Sequence, residues 1–441
     1  MNEIRDRLKL SELLPTNGTT YNAGDGNFAY DCPNTDVNVV KLLTASLEKT
    51  GFSLHAVNTI GASRFWTYVN EEGFVHVMFH PAVRTLRVTY GPNAYLPSAT
   101  PTEYERKVTP TITQMHMQMA DNNIACQSIT RRITANNGAP GMSYLLRLAD
   151  GRFVILDGGN NDGIVTPAYQ NERGEWLAGE PTKTEDEKRL YDTMLSMLPE
   201  GETTPTVALW VITHPHGDHM LLATCFLETY KNDFNLEMVA FNFLENDEFD
   251  GIMKIWATDF RTRAKQNFPK VQEWILHTGQ KLYLPDCTIE VLCTAEDYVC
   301  SGSRLGDGNN ISAALLITMG KTTFIALGDA YPVTCTFMRD AYRTALQADI
   351  LQLAHHGFDG SGDARGMYQI IDPKICFWAC DEYRFQKDRR NIGSPQQDHR
   401  FYSHYWLRNM PWTRGDEVGE REHYSSSYTT TINAETGKKI N

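Results

Sequence analysis

The chain has 441 residues and a formal net charge of −13 at pH 7, with 41% hydrophobic and 11% aromatic residues. This length exceeds what a single hydrophobic core usually serves, so two domains are expected. The negative charge disfavours nucleic-acid binders and binders of anionic membranes, because both need clustered positive charge.

Two further features bear on location. No apolar run approaches the length of a membrane span, and the opening segment MNEIRDRLKLSELL lacks the apolar core of a secretory signal. The nine cysteines are scattered and odd in number, which fits reduced thiols. We therefore expect a cytoplasmic protein without a membrane partner; the sequence leaves the oligomeric state open.

The first 107 residues predict a small α+β domain. Residues 1–30 are rich in Asn, Gly and Thr and are expected to be irregular. Asp36 can cap a helix over VNVVKLLTASLEKT, and Gly51 can stop it. Four segments, SLHAVNT, RFWTYVN, FVHVMFH and TLRVTYG, predict an antiparallel meander. The prolines of residues 91–110 indicate a linker, which places a domain boundary near residue 107.

Residues 108–441 open with a strand in ITQMHMQMA and a hairpin. The segments MSYLLRL and RFVIL flank a turn at Ala149–Asp150–Gly151, and the second strand ends at Asp157. An amphipathic helix is predicted over residues 184–198. The last segment, HYSSSYTTTINAETGKKI, predicts a closing hairpin.

Ligand-type side chains are concentrated directly after the apolar run VALWVIT. The run ends in His214, Pro215, His216, Gly217, Asp218 and His219. Residues two apart on an extended segment point the same way, so His214 and His216 can converge. Asp218 and His219 would stand at the start of the following helix. Imidazole and carboxylate groups suit zinc and its neighbours in the first transition row.

Two later strands end in residues of the same kind. TTFIALG is followed by Asp329, and ILQLA is followed by His355 and His356. The carboxyl ends of neighbouring strands lie on one rim of a sheet, so these residues can meet the first group there. His355 is the preferred ligand of the two histidines, because it comes directly after the apolar strand.

These motifs resemble the metallo-β-lactamase superfamily. HxHxDH at 214–219, preceded by Asp-Gly-Gly at 157–159 and followed by NNxS, LGD and AHHG, is most similar to one branch, which contains the hydrolase domain of bacterial DNA-uptake channels and choline-phosphate esterases. The resemblance covers about residues 108–441. It implies an α/β fold, a four-layer αββα sandwich with two mixed sheets, beside the small N-terminal α+β domain.

The resemblance also implies a ligand set for two divalent cations. Zn²⁺ is expected, with Mn²⁺ or Fe as alternatives. His214 and His216 would bind the first ion, Asp218, His219 and His355 the second, and Asp329 would bridge them. Asp157 would support the site from behind. Asp218, Asp329 and His356 are the candidate catalytic residues, the aspartates as proton acceptors and His356 by supporting the site or touching the substrate.

One position departs from the superfamily pattern. A further histidine usually lies between HxHxDH and the later aspartate, but this chain has CTAEDY at residues 293–298. Glu296 or Asp297 can substitute for it, or one ion is held loosely. His277, the remaining histidine of the interval, is interpreted as structural, as are the isolated His55, His76 and His80.

The implied activity is hydrolysis of an ester by a hydroxide held between two metal ions. A segment that returns to the site in this branch carries Arg389, Arg390, Asn391 and His404, and arginine pairs suit phosphate oxygens. This favours a phosphodiester or another phosphoester. A lactone or carboxylic ester on the same site is the alternative, and a catalytically degenerate binding module is a third reading.

Overall fold

The computed structural model describes most of the chain. The described residues are 14, 16–24, 26–117, 141–160, 169–170, 176–177, 185–243, 251–300, 308–357, 366–380, 382, 385 and 406–440.

The N-terminal part forms a six-stranded antiparallel sheet with one helix on it. The strand order is β1-β2-β6-β5-β4-β3. Its elements are β1 (Thr19–Gly24), β2 (Asn27–Cys32), α1 (Val37–Lys49), β3 (Ser53–Ile60), β4 (Ser63–Val69), β5 (Phe74–His80) and β6 (Thr85–Gly91). The predicted cap is confirmed, since the Asp36 side chain accepts a hydrogen bond from the Asn38 N–H at 2.8 Å.

This sheet is larger than the sequence predicted. The meander of β3 to β6 is present, but β1 and β2 lie in residues that were expected to be irregular. The expectation failed because β2 is held by its pairing with β6, from Phe28–Tyr90 to Cys32–Leu86. Such a long-range ladder leaves a weak local signal in a segment rich in Asn and Gly.

Two mixed sheets make up the rest of the molecule. The first has the order β15-β14-β12-β9-β8-β7-β25-β26, with β13 paired to β12, and the second has the order β16-β17-β18-β19-β20-β21-β24. The strands up to the second sheet are β7 (Thr111–Gln114), β8 (Tyr144–Arg147), β9 (Phe153–Leu156), β10 (Tyr169–Gln170), β11 (Trp176–Leu177), β12 (Thr206–Val211), β13 (Asn235–Leu236), β14 (Met238–Phe241) and β15 (Gln272–Ile275).

The remaining strands complete the second sheet, a small hairpin and the C-terminus. They are β16 (Lys281–Leu284), β17 (Cys287–Cys293), β18 (Ala314–Met319), β19 (Thr322–Ala326), β20 (Ile350–Gln352), β21 (Ile375–Trp378), β22 (Trp412–Arg414), β23 (Glu417–Gly419), β24 (Glu422–Ser425), β25 (Thr430–Asn433) and β26 (Lys438–Lys439). The helices are α2 (Glu185–Ser196), α3 (Gly217–Thr229), α4 (Gly251–Asn267), α5 (Ala295–Cys300), α6 (Pro332–Tyr342) and α7 (Met367–Ile371).

Three apolar clusters order these elements into four layers. One cluster lies between the two sheets and joins Leu146 and Leu209 of the first to Ile317 and Phe377 of the second. Another packs α2, α3 and α4 on the outer face of the first sheet. A third packs α6 and α7 on the outer face of the second sheet. The predicted αββα sandwich of the α/β class is therefore confirmed.

The C-terminal segment differs from the expected closing hairpin. β24 runs parallel to β21 in the second sheet, whereas β25 pairs antiparallel with β7 in the first. The tail thus crosses from one sheet to the other, and only the short β25–β26 pair forms a hairpin. Alternation along the chain predicts strands but does not identify their partners.

The N-terminal sheet is docked on the second helical layer. Ile60, Phe65 and Met78 belong to the apolar cluster that also contains α6 and α7. The predicted boundary near residue 107 falls in the extended segment between β6 and β7 and stays a prediction. In the described part of the chain, no helix combines the length and the apolar character that crossing a bilayer requires.

Candidate metal centre

The ligand-type residues lie where β12, β19 and β20 end. β12 is buried from Val207 to Val211. The chain then bends at Thr213 and His214, and His216 is extended directly before the first turn of α3. Asp218 and His219 stand in that turn. Since β19 and β20 are neighbours in the second sheet, the residues after them reach the same region.

Two groups of side chains could each hold a metal ion, and they share one carboxylate. Within each group the ligand-type atoms lie within 4.8 Å of one another. The first group is His214, His216 and Asp329; the second is Asp218, His219, Asp329 and His356. The structure thus brings together five of the six predicted ligands and adds His356.

The individual distances show a compact cluster. His219 Nε2 lies 3.2 Å from Asp329 Oδ1, and His356 Nε2 lies 3.1 Å from Asp218 Oδ2. The second oxygen of Asp329 is 3.8 Å from His214 Nε2 and 3.7 Å from His356 Nε2. Each carboxylate therefore faces more than one imidazole.

The opposite nitrogen of each buried imidazole is held by an oxygen behind the cluster. His219 Nδ1 lies 2.8 Å from Asp157 Oδ2, and His356 Nδ1 lies 2.7 Å from the Ala379 carbonyl oxygen. His214 Nδ1 lies 3.1 Å from Thr213 Oγ1 and 3.2 Å from Ser312 Oγ. An imidazole that donates through Nδ1 presents the lone pair of Nε2, and this is how metal-binding histidines are usually oriented.

The inward-facing atoms fit a cation. His214 Nε2, His219 Nε2 and Asp329 Oδ1 are buried and face into the cluster, with His219 Nε2 3.2 Å from Asp329 Oδ1. Burying carboxylates is costly unless a positive partner compensates them, and that partner is either a protonated imidazole or a bound cation. No lysine or arginine in the described residues forms an ion pair with Asp157, Asp218 or Asp329.

The electrostatic effects point the same way. Burial alone would raise the pKa values of Asp218 and Asp329, but the imidazoles, above all His219, outweigh it and hold both below the ordinary value. Burial would likewise lower the pKa of His219, yet Asp329, Asp157 and Asp218 hold it well above its usual range. The carboxylates are therefore ionised, and the protonated His219 would release its proton when an ion binds there.

Asp157 organises the back of the cluster. Its Oδ1 accepts from the Thr213 backbone N–H at 2.8 Å, and its Oδ2 faces His219. Its φ is 54°, and those of His355 and His356 are 50° and 55°. Such left-handed backbone is costly for side chains larger than glycine and often occurs at functional sites.

Other predicted residues lie elsewhere. His355 is outside both groups, and its ring contacts Tyr331 at 5.3 Å between centroids. The structure places His356 rather than the preferred His355 in the cluster: the chain turns through left-handed backbone at both residues, and His356 is the one directed at Asp218. Which of the two binds a metal ion stays a prediction. Arg389, Arg390, Asn391 and His404 lie outside the described residues.

Glu296 and Asp297 are not brought to the cluster either. The Glu296 carboxylate lies 2.7 Å from His277 Nδ1. Asp297 accepts hydrogen bonds from Arg87 at 2.6 Å and from the Thr294 backbone N–H at 2.9 Å. Both carboxylates are engaged at the contact with the N-terminal sheet, and neither belongs to a metal group.

Sequence reasoning missed three supporting groups. Ser312 accepts from the Asp329 backbone N–H at 3.0 Å and also faces His214; its signal was the NNxS motif. Thr213 directly precedes His214. The Ala379 carbonyl has no sequence signal, because any residue supplies one.

Comparisons with known proteins add little to this geometry. No family model matches the chain, and no curated protein matches it. Among solved structures, it is similar to CmlA, a diiron beta-hydroxylase from Streptomyces venezuelae, with 14% identity and a TM-score of 0.38 over 76% of this chain and 55% of CmlA. The alignment thus spans about half of CmlA's length.

Two further solved structures are similar. The metallo-beta-lactamase fold protein YhfI from Bacillus subtilis aligns with 12% identity and a TM-score of 0.38, over 73% of this chain and 99% of YhfI. A possible metal-dependent hydrolase from Veillonella parvula aligns with 14% identity and a TM-score of 0.32, over 65% of this chain and 94% of the other. At such low TM-scores the likeness identifies no family, and the fold rests on the chain's own sheets and cores.

Proposed function

We propose that this chain is a metal-dependent hydrolase of the metallo-β-lactamase superfamily with a two-ion centre. One observation carries the proposal. Buried imidazoles, each held through Nδ1, direct their Nε2 atoms at two ionised carboxylates. Among the described residues, no lysine or arginine forms an ion pair with these carboxylates. A buried cluster of this kind is costly unless cations compensate its charge.

The two groups would hold the ions in different ways. His214, His216 and Asp329 offer three donors for one ion, and Asp218, His219, His356 and Asp329 offer four for the other. Both sets combine imidazole nitrogen and carboxylate oxygen, which suits Zn²⁺, Mn²⁺ or Fe. When bound, such ions would activate a water molecule and stabilise negative charge on a substrate oxygen.

The protein's own residues orient the centre and define its open side. Asp157, Thr213, Ser312 and the Ala379 carbonyl hold the rings from behind. The Asp218 side chain is 23% exposed, whereas those of His219, Asp329 and His356 are at most 2% exposed. A substrate would therefore approach past Asp218, which is the candidate proton acceptor on that side.

A phosphodiester or another phosphoester is the proposed substrate class. Its support is the arginine pair Arg389–Arg390 in the segment that follows β21 in sequence, together with the resemblance of the motifs. A panel of chromogenic phosphodiester, phosphomonoester and lactone substrates tests it. Turnover of phosphoesters alone is expected, whereas turnover of the lactone alone would replace this class by a lactone or carboxylic-ester hydrolase.

Elemental analysis tests the metal centre itself. It also tests the alternative that the protein is a catalytically degenerate binding module. We expect about two metal equivalents per chain and a loss of at least one in His216→Ala, together with most of the activity. His55→Ala, a histidine of β3 outside both groups, is the matched control. Absence of bound metal and of activity after reconstitution with Zn²⁺, Mn²⁺ or Fe²⁺ would refute the hydrolase proposal.

A further inference from the structure

A short segment between α5 and β18 passes along the first metal group. It begins with a single 3-10 turn, Gly308–Ile311, whose residues are buried. A Cβ at Gly308 would lie 2.5 Å from His216 Nε2, so the backbone runs directly against this ring. Ser312, at the other end of the segment, lies with its Oγ 3.2 Å from His214 Nδ1. The side chains between these two contacts therefore stand at the edge of the metal centre.

Asn309 connects this segment to a tyrosine. Its side chain is buried, and its Nδ2 donates to the Tyr331 hydroxyl oxygen at 3.0 Å. An amide nitrogen can only donate, so the phenol oxygen is the acceptor in this bond. The hydroxyl proton of Tyr331 is consequently directed away from Asn309, towards another acceptor.

His355 packs against the ring of the same tyrosine. The Tyr331 and His355 rings meet edge to face, with 5.3 Å between their centroids, and the His355 ring lies 6.2 Å from that of His356. The left-handed backbone of His355 is fixed by its N–H, which donates to the Gly328 carbonyl oxygen at 3.1 Å. Tyr331 therefore lies between the segment that touches His216 and the neighbour of His356.

This position combines closeness to both metal groups with access from solvent. Tyr331 follows Asp329, the carboxylate that the two groups share, by two residues. Asp329 and His356 are buried, whereas Tyr331 and His355 are both partly exposed. Neither exposed side chain is a carboxylate, so each can face an anionic substrate without charge repulsion.

We propose that Tyr331 contacts the substrate of the hydrolase proposed above, on which this inference rests. Its hydroxyl would donate to a phosphoryl oxygen, while Asn309 positions the phenol oxygen and His355 limits the rotation of the ring. A hydrogen bond to an ionised oxygen is roughly twice as strong as one between neutral groups. Tyr331 would thus favour a phosphoester over an ester whose oxygens are uncharged.

The test measures binding of inorganic phosphate to the zinc-reconstituted full chain by isothermal titration calorimetry. Tyr331→Phe should weaken phosphate binding about tenfold or more, the usual size of a hydrogen bond to a charged group. Its kcat/KM for bis(4-nitrophenyl) phosphate should fall at least as much, while its zinc content and melting temperature match those of the parent. Tyr90→Phe is the matched control, since the Tyr90 hydroxyl donates to the Glu72 carbonyl oxygen in the N-terminal sheet.

A double-substitution cycle tests the role of Asn309. Asn309→Ala should weaken phosphate binding in the parent but have little further effect in Tyr331→Phe, because it acts through the hydroxyl. Equal losses in the two backgrounds would contradict this positioning role.

The outcomes separate this inference from the hydrolase proposal. If the parent holds zinc and hydrolyses the diester, but Tyr331→Phe binds phosphate as Tyr90→Phe does, the tyrosine assignment is overturned and the hydrolase proposal stands. Loss of zinc in Tyr331→Phe would make the tyrosine a support of the metal ligands and would also overturn a substrate contact. A parent that binds neither zinc nor phosphate refutes both.

Discussion

His355 and His356 are adjacent but have different surroundings. His356 is 1% exposed, with its Nε2 beside Asp218 and its Nδ1 on a carbonyl oxygen. His355 is directed towards Tyr331 instead. The two histidines are one position apart in the same turn, and this position alone decides which imidazole lies in the cluster.

This pair gives the most direct test of the ligand assignment. His356→Ala should lose at least one metal equivalent, and its activity should fall more than about 100-fold. Substitution of a residue that only supports a metal ligand reduces affinity or activity by about 10–100-fold. His355→Ala, its matched control, should retain its metal. Elemental analysis of both variants decides; loss of metal in His355→Ala with retention in His356→Ala would reverse the assignment.

Asp157 is buried behind the cluster and belongs to neither ligand group, yet it orients His219 and Thr213. Asp157→Ala should therefore weaken metal binding about 10–100-fold while all proposed ligands remain. Chelator competition measures the change. Asp150→Ala, in the turn of the same hairpin, removes an ion pair to Arg152 and should leave metal affinity unchanged; equal effects of the two substitutions would contradict a positioning role.

At the scale of elements, the contact between β6 and α5 rests on a buried ion pair. Arg87 lies 2.6 Å from Asp297 and 3.3 Å from Asp31, and its side chain is 3% exposed. Asp297 also accepts from Thr294 at the start of α5. The CTAEDY segment at residues 293–298 is thus held by the N-terminal sheet.

Removing one partner of this pair should be costly. Arg87→Met leaves two buried carboxylates without their cation and should lower the free energy of unfolding by about 3–5 kcal/mol. Arg106→Met, which breaks exposed ion pairs to Asp286 and Glu435, should cost less than about 1 kcal/mol. Urea denaturation of both variants measures the difference; similar losses would mean that the buried pair adds nothing beyond a surface contact.

At the scale of the whole molecule, two buried histidines connect the N-terminal sheet to the sandwich. Burial lowers the pKa of His76 to about 4 and that of His80 to about 3, from an ordinary value of 6.5. His76 bonds the Thr278 carbonyl, and His80 packs against Phe337 and Tyr342 of α6. Both are neutral in the folded protein at neutral pH.

This predicts a loss of stability on acidification. The folded state binds fewer protons than the unfolded state below pH 6.5, so stability falls as the pH drops from 6.5 towards 4. Between pH 7 and pH 5 each histidine should lower the free energy of unfolding by about 2 kcal/mol. Urea denaturation at the two pH values should show a smaller loss in His80→Gln than in the parent or in His55→Gln; an unchanged loss would contradict the prediction.

The sequence alone was sufficient for the features encoded locally. Strand periodicity, the Asp36 cap and the Ala149–Gly151 turn follow from spacing and turn chemistry, whereas the sandwich class was implied by the resemblance of the motifs. The concentration of His214, His216, Asp218 and His219 after one apolar run indicated a metal centre, because strand ends meet on one rim of a sheet.

Tertiary structure decided what depends on partners distant along the chain. It drew Asp297 to Arg87 and Glu296 to His277, and it directed His356 rather than His355 at Asp218. It also distributed the C-terminal strands between two sheets. Periodicity predicts which face of an element is buried. The partner of that face is determined by packing, ion pairing and hydrogen bonding with other segments, such as the pair of Arg87 and Asp297, which are 210 residues apart.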